Sequence, residues 1–473
     1  MKLEIRKTGI NGEGIGYLNQ KPVFIPGTFP GDIAEIELLE ENERYAKGRK
    51  KQIISPASCR RDSACPAPCG SCPLIEMKYH EQLNQKRLLL TEALWKYAHV
   101  REEFVRDIRP SSAVLYYRSS FKLPVKEVDG RLCTGMYKTG TNIFVPIEDC
   151  PVHDRKLEQL RKTVLAILRE EHISAYDSGH GLRYLVMRRI EPVVTIALIT
   201  GRDQLPETLI RKLSLLPEVE SIVQSVNTER NTPQIFGSAS AVLYGSETVT
   251  VPFHGFQIRL SPESFFQLNL SQAEALYQTA ADKVDPCGVL AECYCGVGVM
   301  SLMVKDKARK VFGFEAVPQA IENANETAAL NRVPNLTFRC ADSAQGLKAL
   351  SAEREVDILL ADPPRSGMDD AMIDAILKSG VKKIIYVSCS PSTLAKNIRD
   401  LKQEFELRTV IPFDLFPNTP HVESVTVLTR RGTSDRTPSR RRRRNRSAST
   451  KQTKSDPQKK QTRKKENNNE HIL

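Results

Sequence analysis

The sequence predicts an α/β protein. A doubly wound parallel sheet fills its C-terminal half, preceded by a small closed β-barrel and a central α+β region with a metal-type cysteine cluster. Three observations carry that expectation. From residue 254 onward, short apolar runs of strand type alternate with helical stretches, the signature of βαβ units. Residues 1–56 instead break β-type runs with Gly12, Gly14, Gly16, Gly27 and Gly31. Between these regions, four of the eleven cysteines crowd together at 59, 65, 69 and 72.

At the N-terminus, Val23–Ile25 and Ile33–Leu38 with their glycine turns suit a barrel of the oligonucleotide-binding kind, and Lys47–Lys51 makes its end basic. Residues 79–100 show a helical stripe of Leu83, Leu90, Leu94 and Tyr97. Residues 110–250 read as strands with one helix near 154–170; Val193–Thr200 is the clearest strand. Further on, strands are expected at 289–294, 310–314, 335–340, 356–361, 383–387 and 422–429, with helices at 297–306 and 318–330. These expectations divide the chain into 1–56, 57–253, 254–431 and 432–473.

The net charge of +12 is unevenly placed. Residues 432–473 hold fourteen Lys/Arg against four Asp/Glu, a net of +10, which leaves +2 for the other 431 residues. That tail, with Arg440–Arg444 in one run, lacks the apolar residues needed to fold and reads as a disordered arm for phosphate backbones. No apolar run approaches the roughly 20 residues of a membrane helix. The charged start Met-Lys-Leu-Glu-Ile-Arg-Lys has no signal-peptide core. A cytoplasmic monomer without a membrane partner is expected. In a reducing compartment, clustered thiols point to metal rather than disulfides.

Six motifs carry chemistry. Glu292-Cys293-Tyr294-Cys295-Gly296-Val297-Gly298 ends a strand in a Gly-x-Gly turn, and Glu315 ends the next strand, where a carboxylate can accept from both ribose hydroxyls. Ser301 stands where a dinucleotide fingerprint has its third glycine, so an adenosine cofactor of the S-adenosylmethionine type fits better than a nicotinamide. Asp362-Pro363-Pro364-Arg365 leaves another strand with its backbone fixed by two prolines. Ile384–Val387 runs into Cys389 just before Pro391; a thiol at a strand end is a nucleophile only if its surroundings favour thiolate. His421-Val422-Glu423 enters the last strand, where Glu423 can act as a base beside Cys389. Ser264-Phe265-Phe266-Gln267 sets two aromatics before an amide, and the aromatic pair reads as core. Cys59, Cys65, Cys69 and Cys72, with Cys150 more distant, suit zinc or an iron–sulfur cluster.

Taken together the motifs resemble the RNA uracil-C5 methyltransferase family that carries an iron–sulfur cluster and an N-terminal TRAM domain. The match runs through Gly-Glu-Gly-Ile-Gly-Tyr at 12–17, Cys69-Gly-Ser-Cys72, Tyr79, Gln82 and Lys86, Tyr117-Arg118 and Cys150-Pro151. It continues through Phe266-Gln267, Tyr294-Cys295-Gly296, Asp362–Arg365, Ser388-Cys389 and His421–Glu423. The resemblance implies a class I S-adenosylmethionine-dependent methyltransferase domain acting on structured RNA, 23S rRNA ahead of tRNA. It implies Cys389 as nucleophile and Glu423 as base. Gln267, Tyr294, Glu315, Asp342 and Asp362 would contact the cofactor or the target base. Cysteines of the cluster and Cys150 would hold [4Fe-4S]. The family's usual Cys-x5-Cys-x2-Cys spacing is altered, so Cys59 and Cys65 compete for the first ligand position. Two other readings stay open: an amino methyltransferase using Asp362-Pro363-Pro364, and a non-catalytic RNA-binding iron–sulfur protein.

Overall fold

The computed structural model describes residues 1–432 apart from Pro68, Arg230 and Asn231. The basic tail therefore lies, but for Gly432, outside the described residues.

Strands β1 (Lys2–Thr8), β2 (Gly14–Leu18), β3 (Lys21–Ile25), β4 (Ile33–Glu41) and β5 (Ala46–Ser55) close a barrel in the order β1-β2-β3-β5-β4. Alternate residues point inward, so Leu3, Ile5, Val23, Ile25, Ala34 and Ile36 fill it. Gly16 is needed because a Cβ there would sit 2.7 Å from the Glu4 carbonyl oxygen across the β1–β2 pair.

Helix α1 (Tyr79–Ala98) leads to the central sheet. This is built from β6 (Ser120–Val128), β7 (Arg131–Tyr137), β8 (Phe144–Pro146), β9 (Leu182–Ile190), β10 (Val193–Thr200), β11 (Val219–Val226) and β12 (Ala239–Gly245), ordered β12-β11-β10-β9-β6-β7-β8. Helices α2 (Arg155–Glu170) and α3 (Glu207–Ser214) share one apolar core with this sheet, placing Leu157, Val164, Leu209 and Leu213 with Leu123, Leu185 and Leu198. The second helix is an addition to the single one expected. Its eight residues are too few to display a helical stripe.

A hairpin of β13 (Val249–Phe253) and β14 (Phe256–Leu260) and helix α4 (Leu270–Asp282) introduce the last sheet. Its strands are β15 (Cys287–Cys293), β16 (Ala308–Glu315), β17 (Leu336–Cys340), β18 (Ile358–Ala361), β19 (Lys383–Ser388), β20 (Phe405–Phe413) and β21 (Glu423–Arg430). The connecting helices are α5 (Val299–Met303), α6 (Pro318–Leu330), α7 (Ser343–Glu353), α8 (Asp370–Lys378) and α9 (Pro391–Leu401). The order is β17-β16-β15-β18-β19-β21-β20. One strand departs from the expected all-parallel sheet: β21 runs antiparallel to both neighbours. Leu290, Leu360, Ile385 and Val387 pack to one side, Ala291, Leu359, Ile384 and Tyr386 to the other. Helix α1 joins this second core through Leu90 and Leu94, so it braces the C-terminal sheet rather than the central one. Strand order reverses between β15 and β18, which puts the binding crevice of an open α/β sheet outside their carboxyl ends.

Candidate active site

The carboxyl edge of the last sheet collects the chemistry-bearing residues. Tyr294 follows β15, Glu315 ends β16, Asp342 follows β17, Asp362 follows β18 and Cys389 follows β19. Because β21 is reversed, its first residue lies at that same edge. Ser388 pairs with Ser424, so one step beyond the register sets Cys389 against Glu423.

Three acids surround this point, Glu423 and Glu292 buried and Asp362 partly buried. Glu423 is 5% exposed, and burial pushes its carboxyl up to about 8, helped by the charge of Asp362 and opposed by Arg365. Burial alone raises Asp362 to about 7. Glu292, 1% exposed, is raised to about 8 by burial, against the hydrogen bond that Ser301 Oγ donates to it. Ser301 thus has a reason to replace the missing glycine: it partners a buried acid. The carboxyl groups of Glu423 and Asp362 have no hydrogen-bond partner among the described residues. The half-buried Cys389 thiol is pushed up to about 12 by burial and by Glu423 and Asp362, while Arg365 pulls it down. Arg365 makes no salt bridge among the described residues. His421 is held down at about 4 by burial and by Arg365, Lys86 and Arg118, so it is neutral at pH 7.

The glycine turn is shaped for close approach. Tyr294, Gly296 and Gly298 have φ of 63°, 52° and 80°. A carboxylate oxygen of Glu315 accepts from Gly296 N at 3.2 Å, and the other accepts from Ala316 N and Val317 N. Asp342 Oδ1 caps α7 through Ala344 N and Gln345 N, at 3.0 and 3.2 Å. Both carboxylates keep lone pairs to spare, and Glu315 lies against the turn. Gln267 is buried and bonds the Tyr277 hydroxyl beside Asp362. The aromatic pair before it divides: Phe266 is core as expected, but Phe265 is 74% exposed. An amide that must turn inward at 267 and a core ring at 266 leave the 265 ring outside.

The motif of Tyr79, Gln82 and Lys86 does structural work that its sequence pattern concealed. Lys86 Nζ, fully buried, pairs with Asp414 and donates to Phe416 O at 2.9 Å. Gln82 accepts from Asn418 N at 2.8 Å and donates to Asn418 Oδ1 at 3.1 Å. Tyr79 Oη accepts from Ser111 N at 2.7 Å, and Tyr117 donates to Pro417 O at 3.0 Å. Together they fix the 414–418 loop that delivers Glu423.

Comparison with known proteins decides the family. Residues 78–431 match the tRNA (uracil-5-)-methyltransferase family, and residues 1–51 match the TRAM domain. The chain belongs to the RNA uracil-5-methyltransferase family. Proteins of Bacillus cereus (strain ATCC 10987 / NRS 248) and Clostridium tetani (strain Massachusetts / E88), both described as uncharacterized RNA methyltransferases, are 34% and 33% identical. The alignments cover 90% and 91% of this chain and 96% of each relative. The crystal structure of Pyrococcus abyssi tRNA (uracil-54, C5)-methyltransferase in complex with S-adenosyl-L-homocysteine matches with a TM-score of 0.73 at 25% identity. The match covers 91% of this chain and all of that one. The protein is thus an S-adenosylmethionine-dependent RNA methyltransferase with the expected fold. Among the described residues no helix is long and apolar enough to cross a membrane.

The cysteines of this family member separate into two environments. Burial, and after it the neighbouring thiols of this group, push up Cys65, Cys72 to about 12 and Cys150 to about 11, and Cys69 is one of the thiols acting on Cys65 and Cys72. Cys59 stands apart among Phe29, Leu74 and Met77, influenced by Asp32, Glu81 and Arg60 rather than by other thiols. Among the described residues no three His, Cys, Asp or Glu side chains converge closely enough to hold a metal ion. The donor set is four thiols in mutual electrostatic reach, which in chemistry suits iron–sulfur ligation; the side chains as placed do not close on a common centre.

Proposed function

We propose that this enzyme methylates C5 of a uridine in structured RNA, 23S rRNA ahead of tRNA, with Cys389 as nucleophile and Glu423 as base. The observation that carries the reading is the antiparallel register of β19 and β21, which sets the thiol against a buried, unpartnered acid. C5 of uracil is a weak nucleophile until the Cys389 thiol gives up its proton to solvent and adds as thiolate at C6. The Sγ–C6 bond then forms as the ring π pair moves onto the C4 oxygen. C5 takes the methyl group, and Glu423 removes the C5 proton. The returning electron pair restores the double bond as the C6–Sγ bond breaks.

S-adenosylmethionine, when bound, supplies the methyl group on a positively charged sulfur. Gln267, Tyr294, Glu315, Asp342 and Asp362 are the residues to hold it or the target base. Arg365 is the charge that favours the thiolate of Cys389. Cys65, Cys69, Cys72 and Cys150 are proposed as ligands of a [4Fe-4S] cluster, with Cys59 left out. Such a cluster would tie the 65–72 segment to the central region and takes no part in the steps above. A colourless anaerobic preparation with stoichiometric zinc would remove this assignment.

The test is incubation with cofactor and 5-fluorouridine RNA, where fluorine cannot leave as a proton and the covalent adduct is trapped. An adduct is expected in the wild type and none in Cys389→Ala. Its persistence in the variant, or its absence from the wild type, would overturn the mechanism. Running the experiment with 23S rRNA and tRNA transcripts in parallel distinguishes the substrates, since the archaeal structural relative acts on uracil-54 of tRNA.

A further inference from the structure

The central sheet has two unlike faces. Phe121, Leu123, Val125, Leu185 and Met187 point toward α2 and α3. The alternating positions Lys122, Lys126, Tyr184 and Arg188 therefore point to the opposite face. That face holds a cavity of about 330 Å³, lined among others by Tyr137, Tyr176, Tyr184, Arg183, Lys126 and Glu229. The size sits at the low end of small-ligand sites, roughly 300–1,000 Å³.

The lining is aromatic and cationic in a specific way. The Arg183 guanidinium lies 5.3 Å from the Tyr176 ring centre and 6.0 Å from that of Tyr184. It is held by neutral acceptors, Asn227 O at 3.1 Å and Asn227 Oδ1 and Glu229 O at 2.9 Å, so its charge is not cancelled by an ion pair. Among the described residues Arg183, Lys122, Lys126 and Arg188 form no salt bridge. Glu229 at the cavity and Glu263 near Lys122 are acidic neighbours. The tyrosine hydroxyls have no partner among the described residues. Stacking planes beside cations whose charge no carboxylate cancels are the features that bind unpaired nucleotides.

The face is also continuous with the candidate active site. Lys122 lies over Phe236 at 5.4 Å and interacts with Arg188 and Glu263. Arg188 donates to the carbonyls of Ser261 and Ser264. Ser119, just before β6, bonds Leu268 O at 2.8 Å, immediately after Gln267. Strand β6 therefore runs from the Gln267 segment to Lys126 at the cavity, roughly 20 Å at about 3.3 Å per residue. Phe265, which follows the Ser264 whose carbonyl Arg188 holds, is exposed.

We propose that this cavity is a second nucleic-acid site, stacking an unpaired base of the RNA strand whose target uridine enters the Cys389 pocket. The inference rests on the uridine-methylation reading for the direction of the strand. It adds an anchor that reads single-strandedness at a distance from the reacting base.

The experiment uses the full chain and a single-stranded oligoadenylate bearing 2-aminopurine, at salt high enough to suppress nonspecific phosphate contacts. Tyr176→Ala with Tyr184→Ala should weaken binding on the order of tenfold and restore 2-aminopurine fluorescence, since each stacked base contributes substantially. Tyr176→Phe with Tyr184→Phe should bind as wild type, because the rings remain. The 5-fluorouridine adduct then separates the two readings. With saturating RNA the alanine variant should still form it, at a raised half-saturating concentration. No adduct in the wild type undermines the mechanism of the previous subsection. An adduct with unchanged RNA dependence in the alanine variant overturns the stacking site alone, as does unchanged oligoadenylate affinity.

Discussion

Glu158 in the central region and Glu423 at the carboxyl edge of the last sheet are buried equally, each 5% exposed, yet their pKa values shift in opposite directions. Burial raises both. At Glu158 it is overcome: His153 Nδ1 lies 2.8 Å away, Arg161 Nε donates at 2.9 Å, and the carboxyl is held below its ordinary value. At Glu423 no hydrogen-bond partner answers the burial, and the carboxyl rises to about 8. Glu158 also accepts from Cys150 N at 3.2 Å, so it fastens a segment in place. The difference teaches that depth does not identify a reactive acid. A buried charge with its counter-charge beside it holds structure, whereas one left without a partner is poised for a ligand or a proton.

The largest way to break this contrast is Glu423→Gln. Turnover should fall on the order of 10²–10⁴-fold while the trapped RNA adduct still forms, because addition at C6 does not need the base. Rapid-quench measurement of methyl transfer and adduct together checks it; equal loss of both would place Glu423 before the addition step. Lys86→Met should destabilise the fold by about 3–5 kcal/mol, since it strands Asp414 in the interior. Denaturant unfolding reads this, and a loss under 1 kcal/mol would show that the pair is not a brace.

The two glutamates should also give opposite arms of a stability–pH curve. Glu423 has a folded value above its ordinary 4.5, so its contribution is present below that pH and is lost as pH rises toward about 8. Glu158 has a depressed folded value, so its contribution is present above pH 4.5 and is lost as pH falls through the folded value. Thermal midpoints across pH should show Glu423→Gln flattening the alkaline arm and Glu158→Gln the acid arm. The smallest effect is expected for Asp362→Asn. It should leave stability within about 1 kcal/mol or raise it, since it deletes a partly buried charge without a partner. Binding of S-adenosylmethionine, followed by calorimetry, should weaken; a stability loss as large as that of Lys86→Met would make Asp362 structural.

The strand–helix rhythm was legible because fully buried strands such as Ile384–Val387 are short continuous apolar runs. The positions of Tyr294, Glu315, Asp362 and Cys389 at one edge followed from that rhythm. The reversal of β21 was not legible, since an antiparallel strand buried on both faces carries the same apolar run as a parallel one. Nor was the role of Lys86: a lysine on a helix ordinarily reads as solvated, and its partner Asp414 lies 328 residues away. The exposure of Phe265 beside the buried Phe266 could be read only once the neighbouring amide had a direction.

The last of the described strands is not an edge strand: β21 lies between β19 and β20. A nascent or truncated chain ending before Glu423 already carries the glycine turn, Glu315, Asp342, Asp362 and the Cys389 thiol. It lacks the one acid set against that thiol. Completion of the sheet and completion of the proposed site are therefore a single event in the making of the polypeptide.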